Sequence, residues 1–161
     1  MDLGQKVKAL KGLSWLRDAP ASELDELARI ATFQSAKAST HLIAEDAESN
    51  EVFAVLSGRI DVMIAVPGAN KKEEIIATLS SGELFGELIL LGRGRRSATA
   101  KARDNVELLI WNKKDLMSLF EKERSIGYRL MFEIARVLAD RLYSTNLALR
   151  NALSRSGSAP L

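Results

Sequence analysis

The alternation of apolar and polar positions divides the chain into helical, β and helical stretches. Leu3, Val7 and Leu10 recur at helical spacing and predict a short helix that stops at Gly12. Leu13, Trp15 and Leu16 follow as an apolar knot, closed by Asp18-Ala19-Pro20. A second helix is predicted from Ser22 as N-cap, with Glu23, Asp25 and Glu26 in its first turns and Leu24, Leu27, Ala28 and Ile30 on one face. From Thr32 the period shortens to that of strands: 32–34, 40–43 and 52–56 are β-prone runs separated by polar loops. Ile60, Val62, Ile64 and Val66 then alternate with Arg59, Asp61, Met63 and Ala65, predicting a strand with the first set inward. Pro67-Gly68-Ala69-Asn70 reads as a turn into a hairpin partner at 75–79, and 96–102 and 106–111 are further strands.

The last third is helical again. Leu116, Leu119 and Phe120 mark a short helix, and a long one is predicted over 125–153. Its broad apolar stripe of Ile126, Leu130, Ile134, Val137 and Leu138 suits packing against a sheet. The stripe narrows to Leu142, Thr145, Leu149 and Leu153, which suits pairing with a second helix, so a homodimer through the distal half is expected. Together the elements describe an α+β fold: an antiparallel β-roll or small barrel between N-terminal helices and a long C-terminal helix. Residues 1–153 read as a single domain and 154–161 as a disordered tail.

Composition narrows the chemistry. There is no cysteine and one histidine, His41, which excludes thiolate catalysis and cysteine-ligated metals and reduces His41 to an ordinary strand residue. Twenty-three basic residues balance 21 acidic ones, a net charge of +2, which argues against a dedicated nucleic-acid binder. No apolar run reaches the ~18 residues of a membrane span, and a cytoplasmic protein is expected. No Ser-His-Asp set, metal-ligand spacing or nucleotide-phosphate loop of the Walker or Gly-x-Gly-x-x-Gly kind is present, so a binding protein is expected rather than an enzyme.

One segment, 82–100, concentrates the remaining chemistry. It joins turn-forming glycines, an acid, a short apolar run and a basic cluster. Glycine lets a backbone approach a ligand, amides at a helix start are unpaired donors, and an arginine offers a planar fork to phosphate oxygens. Two plainer readings stand beside this one: a Glu87–Arg96 salt bridge that only fastens the turn, and a solvated basic loop at Gly92-Arg93-Gly94-Arg95.

The order of elements, together with Phe85-Gly86-Glu87-Leu88, seven residues, then Arg96-Ser97-Ala98-Thr99, resembles the cyclic-nucleotide-binding domain of protein kinase A regulatory subunits, catabolite activator protein and gated ion channels. Leu56-Ser57-Gly58-Arg59-Ile60 upstream and Gly82 before the motif carry the likeness over 13–153. The resemblance implies an eight-stranded, jelly-roll-like β-roll and a ligand, cAMP or cGMP, in place of any bound cofactor. It implies that Glu87 accepts from the ribose 2′-hydroxyl and that Arg96 pairs with the cyclic phosphate. The turn at Gly86, the Leu88 and Ile89 amides and Ser97 would complete the cradle, with Val62, Ile76 and Leu84 as apolar wall. Either Arg136 or Arg141 of the long helix would reach the ligand or Glu87.

The chain departs from the family pattern at Ile89, where alanine or glycine is usual, at Arg95, a common proline position, and at Asp46 and Ser49, where glycines are usual. The reading is therefore a stand-alone sensor, without a DNA-binding domain, that signals to a separate effector protein. Its alternative is a ligand-independent interaction scaffold whose pocket Ile89 has filled.

Overall fold

The computed structural model describes residues 1–66, 68, 72–92 and 94–156, the side chains of 155 and 156 excepted. Helix α1 (Leu3–Lys11) opens on a capping box, in which Asp2 and Gln5 each accept from the other's backbone amide. After a 3-10 turn at Ser14–Leu16, helix α2 (Ala21–Ile30) starts earlier than its sequence suggests. Pro20, not Ser22, is the N-cap. Its ring fixes φ at −58°, and its carbonyl accepts from the Glu23 and Leu24 amides, leaving Ser22 inside the first turn.

Eight strands follow: β1 (Ala31–Ala36), β2 (His41–Ile43), β3 (Glu51–Ser57), β4 (Ile60–Ala65), β5 (Glu73–Leu79), β6 (Leu84–Phe85), β7 (Thr99–Ala102) and β8 (Val106–Asn112). They pair antiparallel in two four-stranded sheets, ordered β1-β8-β3-β6 and β2-β7-β4-β5. The chain is thus the eight-stranded antiparallel roll expected, with His41 an exposed strand residue. Helix α3 (Lys113–Lys122) is capped by the Asn112 side chain, which accepts from the Lys114 amide, and α4 (Arg124–Ser156) completes the described chain.

Two apolar clusters hold these layers. In one, Leu10, Leu16 and Leu27 of the N-terminal segment meet Val52, Leu109 and Trp111 of the first sheet and Leu116, Ile126, Leu130 and Ile134 of α3 and α4. Trp111 Nε1 donates to the Leu27 carbonyl at 3.0 Å, so the buried indole leaves no orphan donor. In the other, Ile43, Phe53, Val55, Ile60, Phe85, Ala100 and Leu108 fill the space between the sheets.

The simple alternation expected along 60–66 does not persist. Val62 pairs with Ala77 and Met63 with Ile75, which leaves Ile76 as the extra residue of a β-bulge. Beyond it the phase inverts, so Met63 is buried and Ile64 is 36% exposed. Strand β7 begins at Thr99 rather than at Arg96, and α4 runs past Leu153 to Ser156. The predicted 67–70 turn lies outside the described residues except for Gly68, and so do residues 157–161 of the expected tail and Arg93 of the basic loop. Among the described residues no helix is long and apolar enough to cross a membrane.

Candidate functional site

Segment 82–100 leaves the first sheet at β6 and turns along the gap between the sheets. At Gly86 the backbone enters the left-handed region (φ 73°), runs through a 3-10 turn at Glu87–Leu91 and leaves at Gly92 (φ 91°). Glycine is required at 86 for a second reason. A Cβ there would lie 2.6 Å from Arg96 Nη1 and 3.0 Å from the Glu51 carbonyl oxygen. The empty space admits the Arg96 guanidinium, whose Nη1 donates to the Gly86 carbonyl at 2.8 Å.

Arg96 is 6% exposed. Its Nη2 donates to Ser49 Oγ and to the Glu51 carbonyl, both at 2.6 Å, while its Nε is buried and has no partner among the described residues. Burial pushes the guanidinium below the usual arginine range, against the pull of Glu51 and Glu87. Backbone bonds fix the residue: the Arg96 amide donates to the Ala47 carbonyl, and the Asp46 amide to the Arg96 carbonyl. Asp46 adopts φ 62°, a left-handed geometry that aspartate tolerates better than most residues, which explains how this loop dispenses with a glycine.

Glu87 is 1% exposed, and its partner is Arg141 of α4, at 2.6 Å. Arg141 Nη2 also donates to the Leu84 carbonyl at 2.8 Å, so one guanidinium joins the long helix to both ends of the 84–87 turn. This pairing replaces the Glu87–Arg96 bridge considered above and decides between the two helix arginines, since Arg136 is engaged by Glu133 and Asp140 on its own helix.

A cavity of about 70 Å3 lies between these groups. Of the residues nominated by sequence, Val62, Gly86, Glu87, Leu88, Ile89, Arg96 and Ser97 border it. Ile76 does not: as the bulge residue of an edge strand it is 57% exposed. Neither does Leu84, whose fully buried side chain belongs to the helix-facing core. Ile89, 4% exposed, packs into that same core while bordering the cavity, so its extra carbons are absorbed beneath the turn. Ile43, Phe85, Arg95, Ala98, Ala100 and Arg141 complete the wall. Ile43 and Ala100 were legible only as strand residues, because the β2–β7 pairing that brings them together is long-range.

The fold is that of a known class of regulatory domain. A model of the cyclic nucleotide-binding domain matches residues 33–123, and the chain belongs to that family. It is 32% identical over 113 residues to the cGMP-dependent 3′,5′-cGMP phosphodiesterase A of Dictyostelium discoideum, covering 70% of this chain and 12% of that protein. Over 98 residues it is 35% identical to the cyclic AMP receptor protein of Thermus thermophilus, covering 61% of this chain and 43% of the relative. The chain thus spans less than half the length of either relative. Among solved structures, the Thermus thermophilus catabolite activator protein superposes with a TM-score of 0.70 at 27% identity, over 87% of this chain and 62% of that one. A cyclic nucleotide-binding domain from Methylobacillus flagellatus shares the fold with a TM-score of 0.78 at 19% identity, over 92% and 83% of the two chains.

Proposed function

We propose that this chain is a cyclic-nucleotide sensor, taking cAMP or cGMP, whose α4 helix repacks on binding and signals to a separate effector protein. The observation that carries the reading is Arg96, a buried guanidinium at a cavity wall whose Nε lacks a partner among the described residues. A buried unsatisfied donor is costly, and a phosphate oxygen is the acceptor that suits it. Glu87 would receive the ribose 2′-hydroxyl, the Leu88 and Ile89 amides and Ser97 would meet the phosphate, and Ile43, Val62 and Ala100 would face the sugar and base.

Nucleotide-sized pockets run to about 300–1,000 Å3, so a cavity of about 70 Å3 must open to admit one. The group that has to yield or share is Arg141, because it already holds Glu87. Ligand binding is thereby linked to the position of α4, a population shift between two packings of one helix. Output through a second copy fits the same helix. Tyr128, Phe132, Leu142, Leu149 and Leu153 are exposed, and with Ala135, Ala139 and Asn146 they continue the alternating four- and three-residue spacing of a coiled-coil seam. The cytoplasm is the compartment in which such a sensor would work.

One observation favours the scaffold reading: Glu87 and Arg96 are both held by groups of the protein itself. Thermal unfolding separates the two. A ligand at a hundred times its dissociation constant adds about 2.7 kcal/mol of stability, so the sensor melts several degrees higher with cAMP or cGMP. A scaffold melts unchanged with either.

A further inference from the structure

The three acceptors around Arg96 are not alike. Two are backbone carbonyls, of Gly86 and Glu51, fixed by the strand and turn that carry them. The third is the Ser49 hydroxyl, on a short loop between β2 and β3. Ser49 Oγ also donates to Glu51 Oε2 at 3.1 Å. A hydroxyl has one proton, and here it is committed to the carboxylate, so a lone pair is turned toward the guanidinium. Arg96 therefore meets an oxygen acceptor at 2.6 Å with a negative charge directly behind it. That is the electrostatic likeness of a phosphate oxygen.

Resting on the assignment of Arg96 to a ligand phosphate, we propose that Ser49, polarised by Glu51, is a built-in competitor for that phosphate and sets the affinity of the site. The geometry supplies the reason. Ser49 Oγ and the Glu51 carbonyl both engage Nη2, while Nε on the same guanidinium has no partner among the described residues. Because Nε is buried, a phosphate seeking two parallel bonds from this arginine needs the guanidinium to shift, and it reaches Nη2 only by displacing an acceptor already there. Of the two, the hydroxyl is the one that a χ1 rotation removes, whereas the carbonyl is held in β3. Ser49 is thus a positioning residue: it holds the guanidinium in its ligand-free arrangement and must release it for binding.

The expected consequence is a gain of affinity on removing a polar group. In calorimetric titrations with cAMP and cGMP, Ser49→Ala binds about three- to tenfold more tightly than the wild type, the worth of one competing charge-assisted hydrogen bond. Glu51→Gln, which keeps the shape and removes the charge, gives a smaller gain, and Ser49→Thr, which keeps the hydroxyl, stays near the wild type. The ligand-free melting temperature of Ser49→Ala does not rise, which separates release of Arg96 from general stiffening of the loop. A Ser49→Ala affinity equal to or below that of the wild type overturns the competitor role while leaving the phosphate assignment intact. If the wild type and Ser49→Ala both fail to bind any cyclic nucleotide, the sensor reading fails and the competitor role with it.

Discussion

The two halves of α4 share one helix and live in different surroundings. In the proximal half, Ile126, Leu130 and Ile134 are buried in the core shared with the first sheet and α3, and Val137 is buried as well. In the distal half, Leu142, Tyr143, Leu147 and Leu149 are exposed. Arg141 stands at the boundary and ties the helix to Glu87 and the Leu84 carbonyl. The difference teaches where a binding event can act. The proximal half is fixed by apolar burial that a small ligand cannot outweigh, so in the proposed sensor a signal would pass through the polar attachment at the boundary.

The largest effects should come from the proximal half. Leu130→Ala or Ile134→Ala removes a fully packed side chain and should cost about 2–5 kcal/mol in urea unfolding. A loss under 1 kcal/mol would mean that α4 is not anchored there. Gly86→Ala comes next, at roughly 2–3 kcal/mol, because φ 73° strains any Cβ and the Glu51 carbonyl and Arg96 cannot both retreat from it. It should weaken cyclic-nucleotide affinity as well, by displacing Arg96.

At the boundary, Arg141→Ala leaves Glu87 buried without its cation. A dry pair would lose more, but Arg141 is about a third exposed, so water offsets part of the cost and about 2 kcal/mol is expected. The double variant with Glu87→Gln should recover most of it in the same unfolding assay. The smallest effect on folding belongs to the distal half: Leu142→Ala should shift stability by no more than about 0.5 kcal/mol. Its consequence lies in association. Leu149→Asp should shift the protein toward monomer in sedimentation at micromolar concentration, and an unchanged profile would remove the seam from the account.

Much of this architecture was legible in the chain because the signals are local. The 3.6-residue stripe of α4, the apolar run of β3 and the glycine-bounded turn at 86–92 each follow from neighbours in sequence. What escaped depends on distant partners. The bulge that expels Ile76 arises from the β4–β5 register, and Leu84 faces the helices because of how β6 joins β3. The site divides the same way. Glu87 and Arg96 stand out as charges in an apolar, glycine-flanked motif, whereas the choice of Arg141 over Arg136 as the partner of Glu87, and the hold of Ser49 on Arg96, are set by contacts across 54 and 47 residues. Ile89, which in sequence looks like an obstruction, is accommodated by core space that only the packing of the turn over Val52 and Ala54 reveals.

Whether the cavity between Glu87 and Arg96 receives a cyclic nucleotide is decided by isothermal titration of the wild type and Arg96→Ala with cAMP and cGMP. Saturable one-site binding of at least one of them is expected, weakened by roughly 2–5 kcal/mol when the buried cation is removed. Binding of equal strength to Arg96→Ala, or no heat from either nucleotide with the wild type, would contradict it.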